Sequence, residues 1–151
     1  MELSRLFSGR EAEIEAMHTR LSQIASREGL PLTKRTRTYN SRLAQELGKW
    51  AGFHGKGNAF RAAVYHAYFV DGSNISLTDE LLRIAASINL PVEEARTVLA
   101  TRSFAAAVDA DWQRAMELRI TAVPTHICGG KKLAGFGSYD DFVRLIERDE
   151  L

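Results

Sequence analysis

One Gly-Gly pair near the end of the chain constrains the fold more than any other feature. Gly129 and Gly130 separate "THIC" from "KKLA" in the stretch "THICGGKKLAGF". Two short runs around a two-glycine turn spell a β-hairpin. Every other periodic segment reads as helix. A lone two-stranded hairpin is marginal in water and has two open edges, so this chain must supply, or borrow, something to lie beside it.

The helical readings follow from spacing. In "SGREAEIEAMHTRLSQIASREG", Ile14, Met17, Leu21 and Ile24 form one apolar stripe, and Ser8 with Glu11 fits a capping box. Pro31 opens an extended connection, "LPLTKRTRTY", with a short strand expected near "LPLT". Asn40 is placed to cap a helix whose Leu43, Leu47 and Trp50 share a face. Asn58 is placed to cap the next, with Phe60, Val64 and Ala67 inward and Tyr68 beside them. Ser76 or Thr78 opens a helix burying Leu81, Leu82, Ala85 and Ile88. Pro91 suits the first turn of a helix carrying Val92, Ala95, Val98 and Leu99. Ser103 is placed to cap a helix expected to bury Phe104, Val108, Trp112, Ala115 and Met116. Ser138 caps a last helix with Phe142, Leu145 and Ile146 on its apolar side. The reading is therefore mainly α, with six or seven helices and one short β-hairpin.

At 151 residues, 45% hydrophobic and 26% charged, the chain can bury a core as one domain. A net charge of +1 gives no bulk attraction to nucleic acid or to an anionic membrane. No apolar run reaches bilayer length, and the first residues lack a signal-peptide core. With a single cysteine, Cys128, no internal disulfide can form. These features fit a cytoplasmic protein.

The blocks "YNSRLAQELGKWA", "AVYHAYFVDGSNIS", "DELLRIAASINL" and "ITAVPTHI" resemble the DsbA-like thioredoxin-fold superfamily. The branch they are most similar to holds FrnE-like proteins and 2-hydroxychromene-2-carboxylate isomerases. The resemblance implies a single DsbA-like domain over 1–151, with a helical insertion over about 8–118 and the C-terminal part of a thioredoxin fold over about 119–151. It also implies a cis bond at Val123-Pro124, in a loop that offers backbone groups to a thiol substrate, with Val123, Pro124 and Thr125 as the carried-over residues. Ala122 stands where glycine is common in the family.

The resemblance implies an N-terminal strand and a C-x-x-C helix that pair with this half, and the sequence contains neither. A βαβ unit of about 30 residues or more is thus expected to be missing. The fold this implies is that of an N-terminally truncated thioredoxin domain. The function it implies is that of a thiol-disulfide oxidoreductase family member, inactive without the C-x-x-C. The alternatives are a non-catalytic self-association module and a glutathione-dependent isomerase-like protein. One thiol cannot cycle between dithiol and internal disulfide.

Other candidates weigh less. Cys128 reads as a small apolar core or edge residue, or as an acceptor of glutathione if exposed. His126 shares its strand face, but two ligands make no zinc site. Asn40 falls where the isomerase branch has a substrate-side asparagine, and Gln45 where relatives often have histidine. Lys34, Arg35, Arg37 and Arg42 could draw an anion such as glutathione or form a solvated loop. Trp50, Tyr65, Tyr68, Phe69 and Trp112 read as core aromatics. The expected partners are a second copy at the open strand edge, and a thiol peptide or glutathione at the proline loop. No metal and no obligatory cofactor is expected.

Overall fold

A computed structural model of the chain describes residues 1–6 and 8–147. The described residues form eight helices and a two-stranded sheet. The chain divides into two compact units, Met1–Val108 and Asp109–Leu151. This division falls earlier than the boundary near 118 read from the sequence.

The first unit holds α1 (Leu3–Leu6), α2 (Glu11–Arg27), α3 (Arg42–Phe53), α4 (Gly57–Phe69), α5 (Thr78–Ser87) and α6 (Val92–Thr101). Its core is built by α3 to α6. Leu47, Ala51, Leu81, Ala85 and Ala95 are fully shielded, and Trp50, Phe60, Val64, Leu82, Val98 and Leu99 close around them. Each fully buried leucine or phenylalanine stabilises the fold by about 1.5–3 kcal/mol. The spacing pattern located these faces, and it missed Ile75 and Leu90, which plug the core from loops.

Helix α2 forms as expected, but none of its residues is buried. Met17 and Leu21 stay about half exposed. The Ser8–Glu11 box does not form. Gly9 turns at φ +83°, and its own N–H donates to Glu11 Oε1 at 3.0 Å. No strand forms at "LPLT". Instead Thr33 donates its N–H to the Phe69 carbonyl and its hydroxyl to that of Val70. The isolated bridge lies further on, between Glu2 and Arg37.

Three other caps shift. Asn58 lies inside α4, which Gly57 opens. Neither Ser76 nor Thr78 caps α5, because Asn74 Oδ1 takes the Ser76 N–H and hydroxyl. Pro91 is the residue before α6 and not its first.

Helix α7 (Ala105–Glu117) begins in the first unit and ends in the second. Val108 is buried, but Trp112 and Met116 are exposed, contrary to the sequence reading. Tyr65 is exposed as well, so two of the five expected core aromatics are surface residues.

The second unit holds β1 (Thr125–Cys128), β2 (Lys131–Ala134) and α8 (Tyr139–Ile146). The strands pair antiparallel, with Thr125 opposite Ala134 and Cys128 opposite Lys131. Gly129 and Gly130 have φ +56° and +85°, the pair of left-handed conformations that a two-residue hairpin turn of this hand requires. Ser138 caps α8 through a complete capping box. Its hydroxyl accepts from the Asp141 N–H, and Asp141 Oδ2 accepts from the Ser138 N–H at 2.7 Å. Leu145 is buried, whereas Ile146 is exposed.

Candidate functional site

The loop before β1 is assembled from local bonds. The Val123–Pro124 peptide bond is cis. Thr125 Oγ1 donates to the Ala122 carbonyl at 2.6 Å and closes a small ring across it. Gly135, just past β2, donates its N–H to the Pro124 carbonyl at 2.8 Å. The loop is thus clamped on both sides of Val123. Val123 itself takes part in no hydrogen bond among the described residues, and the residue is 89% exposed. An exposed residue with a spare backbone donor and acceptor can accept a second extended chain.

Register shows which groups of β1 are engaged. A two-residue turn makes the flanking pair, Cys128 and Lys131, a hydrogen-bonded pair, and such pairs alternate along the ladder. His126 with Leu133 is the next, and the Gly135 bond to Pro124 continues the series. The N–H and C=O of Thr125 and Ile127 therefore face away from β2. Among the described residues they have no partner.

Cys128 is exposed and forms no disulfide. Of the core and edge readings of this residue, its exposed place at the end of β1, beside the turn, excludes the core one. His126 stacks edge-on against Phe142 of α8, with ring centroids 4.8 Å apart. Among the described residues, no group of three or more His, Cys, Asp and Glu is placed to hold a metal ion.

Asn40 and Arg42 belong to the first unit, and the proline loop and Cys128 to the second. Asn40 Oδ1 accepts from the Arg42 N–H at 2.8 Å, so the residue does support the start of α3. Gln45 Nε2 donates to Ser41 Oγ within the same helix turn. Arg42 turns to the protein. Its Nε donates to Glu46 Oε1 at 2.6 Å and its Nη2 to the Ala105 carbonyl at 2.9 Å.

The other cations also have partners inside the chain. Lys34 pairs with Glu15 and Arg37 with Glu2. Arg35 lies over Tyr68 and Phe69, 4.2 and 4.8 Å from their ring centroids. The cationic run is a set of internal ties across the surface of the first unit.

Glu46 escaped the sequence reading. It is buried, at 1% exposure, between Arg42 and Arg102. The Arg102 guanidinium bonds, helped by those of Arg42, hold its carboxyl at about 2 against the opposing effect of burial. The i,i+4 spacing of Arg42 and Glu46 was a legible hint. Arg102 was not legible, since it lies 56 positions from Glu46.

The DSBA-like thioredoxin domain family matches residues 4–147. The uncharacterized protein YwbO of Bacillus subtilis is 29% identical over 109 residues, covering 72% of this chain and 54% of that protein. The solved structure of a 2-hydroxychromene-2-carboxylate isomerase is similar with a TM-score of 0.74. It is 20% identical, and the match covers 83% of this chain and 61% of that one. At that identity the likeness is one of fold. The chain spans about half the length of the curated relative it matches. Among the described residues no helix is long and apolar enough to cross a membrane.

Proposed function

Because the chain belongs to the DSBA-like thioredoxin domain family, we propose that it is the substrate-holding part of a thiol-disulfide oxidoreductase-type protein. In this reading, these residues bind a thiol peptide or glutathione at Val123, Pro124 and Thr125. They do not themselves carry out dithiol exchange. The observation that carries the reading is Val123: exposed, unbonded in its backbone, and clamped on both sides by the Thr125 and Gly135 bonds.

The chemistry divides as follows. An extended peptide laid along Val123 gains two main-chain hydrogen bonds, and the clamped loop loses little entropy on binding. Exchange with a substrate disulfide needs an attacking thiolate, and release of the mixed disulfide so formed needs a second thiol. The sequence has one cysteine, Cys128. Cys128 can form one mixed disulfide with a disulfide-bearing substrate, releasing one thiolate, and no second cysteine in the sequence can resolve it. A cytoplasmic setting belongs to the same reading, supported by an exposed thiol in a chain that can form no internal disulfide.

Insulin reduction coupled to dithiothreitol tests the catalytic half of the proposal. The purified protein and its Cys128→Ala variant should give the same rate as buffer. Turnover by the protein above that of Cys128→Ala would overturn it.

A further inference from the structure

We propose that Arg35 anchors an oxyanion site on the first unit, one that takes the carboxylate or phosphate group of a small ligand. The inference is independent of the reading of the proline loop, which belongs to the other unit.

Three observations carry it. The first is where the guanidinium sits. Its Cζ lies 4.2 Å from the Tyr68 ring centroid and 4.8 Å from that of Phe69. Those two rings are 4.9 Å apart and close to perpendicular, at 81°. Arg35 therefore occupies the corner between them. Each wall of the corner is backed by another ring. Tyr39 meets Tyr68 edge-on at 6.3 Å, and Tyr65 meets Phe69 at 6.0 Å. The Tyr68 hydroxyl is held as well, 3.3 Å from Thr38 Oγ1.

The second observation is the backbone beneath Arg35, which is fixed on both sides. Before it, Thr33 donates its N–H to the Phe69 carbonyl at 2.9 Å and its hydroxyl to the Val70 carbonyl at 2.7 Å. After it, the Thr36 carbonyl accepts from the Leu3 N–H, and the Thr38 N–H donates to the Met1 carbonyl, each at 2.9 Å. A long side chain on a pinned segment, seated in a corner of rings, has already lost much of the freedom that a ligand would otherwise have to remove.

The third observation is what remains unused. The neighbouring cations Lys34 and Arg37 have carboxylate partners in Glu15 and Glu2. Among the described residues, no carboxylate pairs with Arg35 and no group accepts a hydrogen bond from it. Rings engage the faces of a guanidinium, whereas its five N–H donors lie in its plane. The aromatic tie and an anion contact thus use different parts of the same group. Arg35 is half-buried, and partial removal from water strengthens its pull on an anion. The fork of donors matches two oxygens of a carboxylate or a phosphate, a match that an ammonium cannot make and a halide cannot use.

The test is an NMR titration of the isotope-labelled protein with acetate and, separately, inorganic phosphate, each balanced with chloride to constant ionic strength. Neither probe carries a thiol, so the outcome does not depend on the proline loop. The expected result is a saturable shift of the Arg35 Nε–H signal and of the Tyr68 and Phe69 ring signals with at least one probe, and the probe that binds more tightly names the source of the oxyanion. Binding, followed on the rings, should be lost in Arg35→Gln and weakened in Arg35→Lys, which keeps the charge and loses the fork. Tyr68→Leu removes one ring and should weaken binding about threefold. Arg96→Gln, which removes the same charge from α6, should bind as the parent does. No saturation with either probe would overturn the inference. So would equal binding by Arg35→Gln or Arg35→Lys, or the same shifts with chloride alone. If Tyr68→Leu fails to fold, the two Arg35 variants decide.

Discussion

Arg102 grips Glu46 with two bonds, Nε to Oε2 at 2.7 Å and Nη2 to Oε1 at 2.6 Å. Arg102 holds a left-handed backbone at φ +54° just after α6, and Glu46 is buried in α3. Arg42 reaches the same carboxylate from one turn earlier and also ties down Ala105. One acid thus joins α3 to the turn that leads into α7. Removing it breaks a carboxylate–guanidinium pair whose side chains are 1% and 17% exposed. Glu46→Ala should destabilise the first unit by about 3 kcal/mol, measured by urea unfolding. Arg102→Ala should cost less, because Arg42 remains and Arg102 is itself half exposed.

The same carboxylate sets a pH dependence. The ordinary glutamate value is 4.5, and Glu46 sits at about 2 in the folded protein. A depressed acid contributes stability above its unfolded value and loses it as pH falls through its folded value. Unfolding free energy should therefore fall between pH 4.5 and 2. In Glu46→Gln the slope in that window should be shallower. An unchanged slope would mean that Glu46 is not the group titrating.

In the second unit the capping box at Ser138 offers an independent test. Asp141 is lowered from 3.8 to about 2, first by hydrogen bonds from the Ser138 side chain and backbone and then by Arg144. Ser138→Ala should destabilise α8 by about 1 kcal/mol, read as faster amide exchange in 139–146. The Asp141 carboxyl should also move back up toward 3.8 in an NMR titration.

The proline loop depends on the Thr125 hydroxyl. Thr125→Val keeps the shape and removes the 2.6 Å bond to Ala122. A neutral hydrogen bond is worth about 1 kcal/mol, so binding of a thiol peptide should weaken about fivefold. Isothermal titration of the variant against the parent protein checks it.

What could be read from the sequence was local. The Ser138 cap works because donor and acceptor lie three positions apart, and the Gly129-Gly130 turn works because no other pair of residues tolerates that backbone so readily. The faces of α3 to α6 were legible from their period. Failures came where a nearby competitor won: Gly9 took the Glu11 side chain, and Asn74 took Ser76. Trp112 and Met116 matched a buried stripe, but periodicity says which side of a helix is apolar and not whether anything covers it. The Glu46–Arg102 bond crosses 56 positions, and no spacing rule reaches that far. In the site, Val123 to Thr125 came from resemblance, while the bonds that clamp them, from Gly135 and to Ala122, came from geometry.

The most direct test of the substrate-holding proposal is an NMR titration of the isotope-labelled protein with a reduced, unstructured thiol peptide. Saturable shifts should centre on the amides of Val123 and Thr125, while residues of α4 and α5 stay still. A Cys128→Ala variant should bind equally well, since binding needs the loop and not the thiol. Titration to saturating peptide with no movement at Val123, or movement that vanishes in Cys128→Ala, would contradict the account.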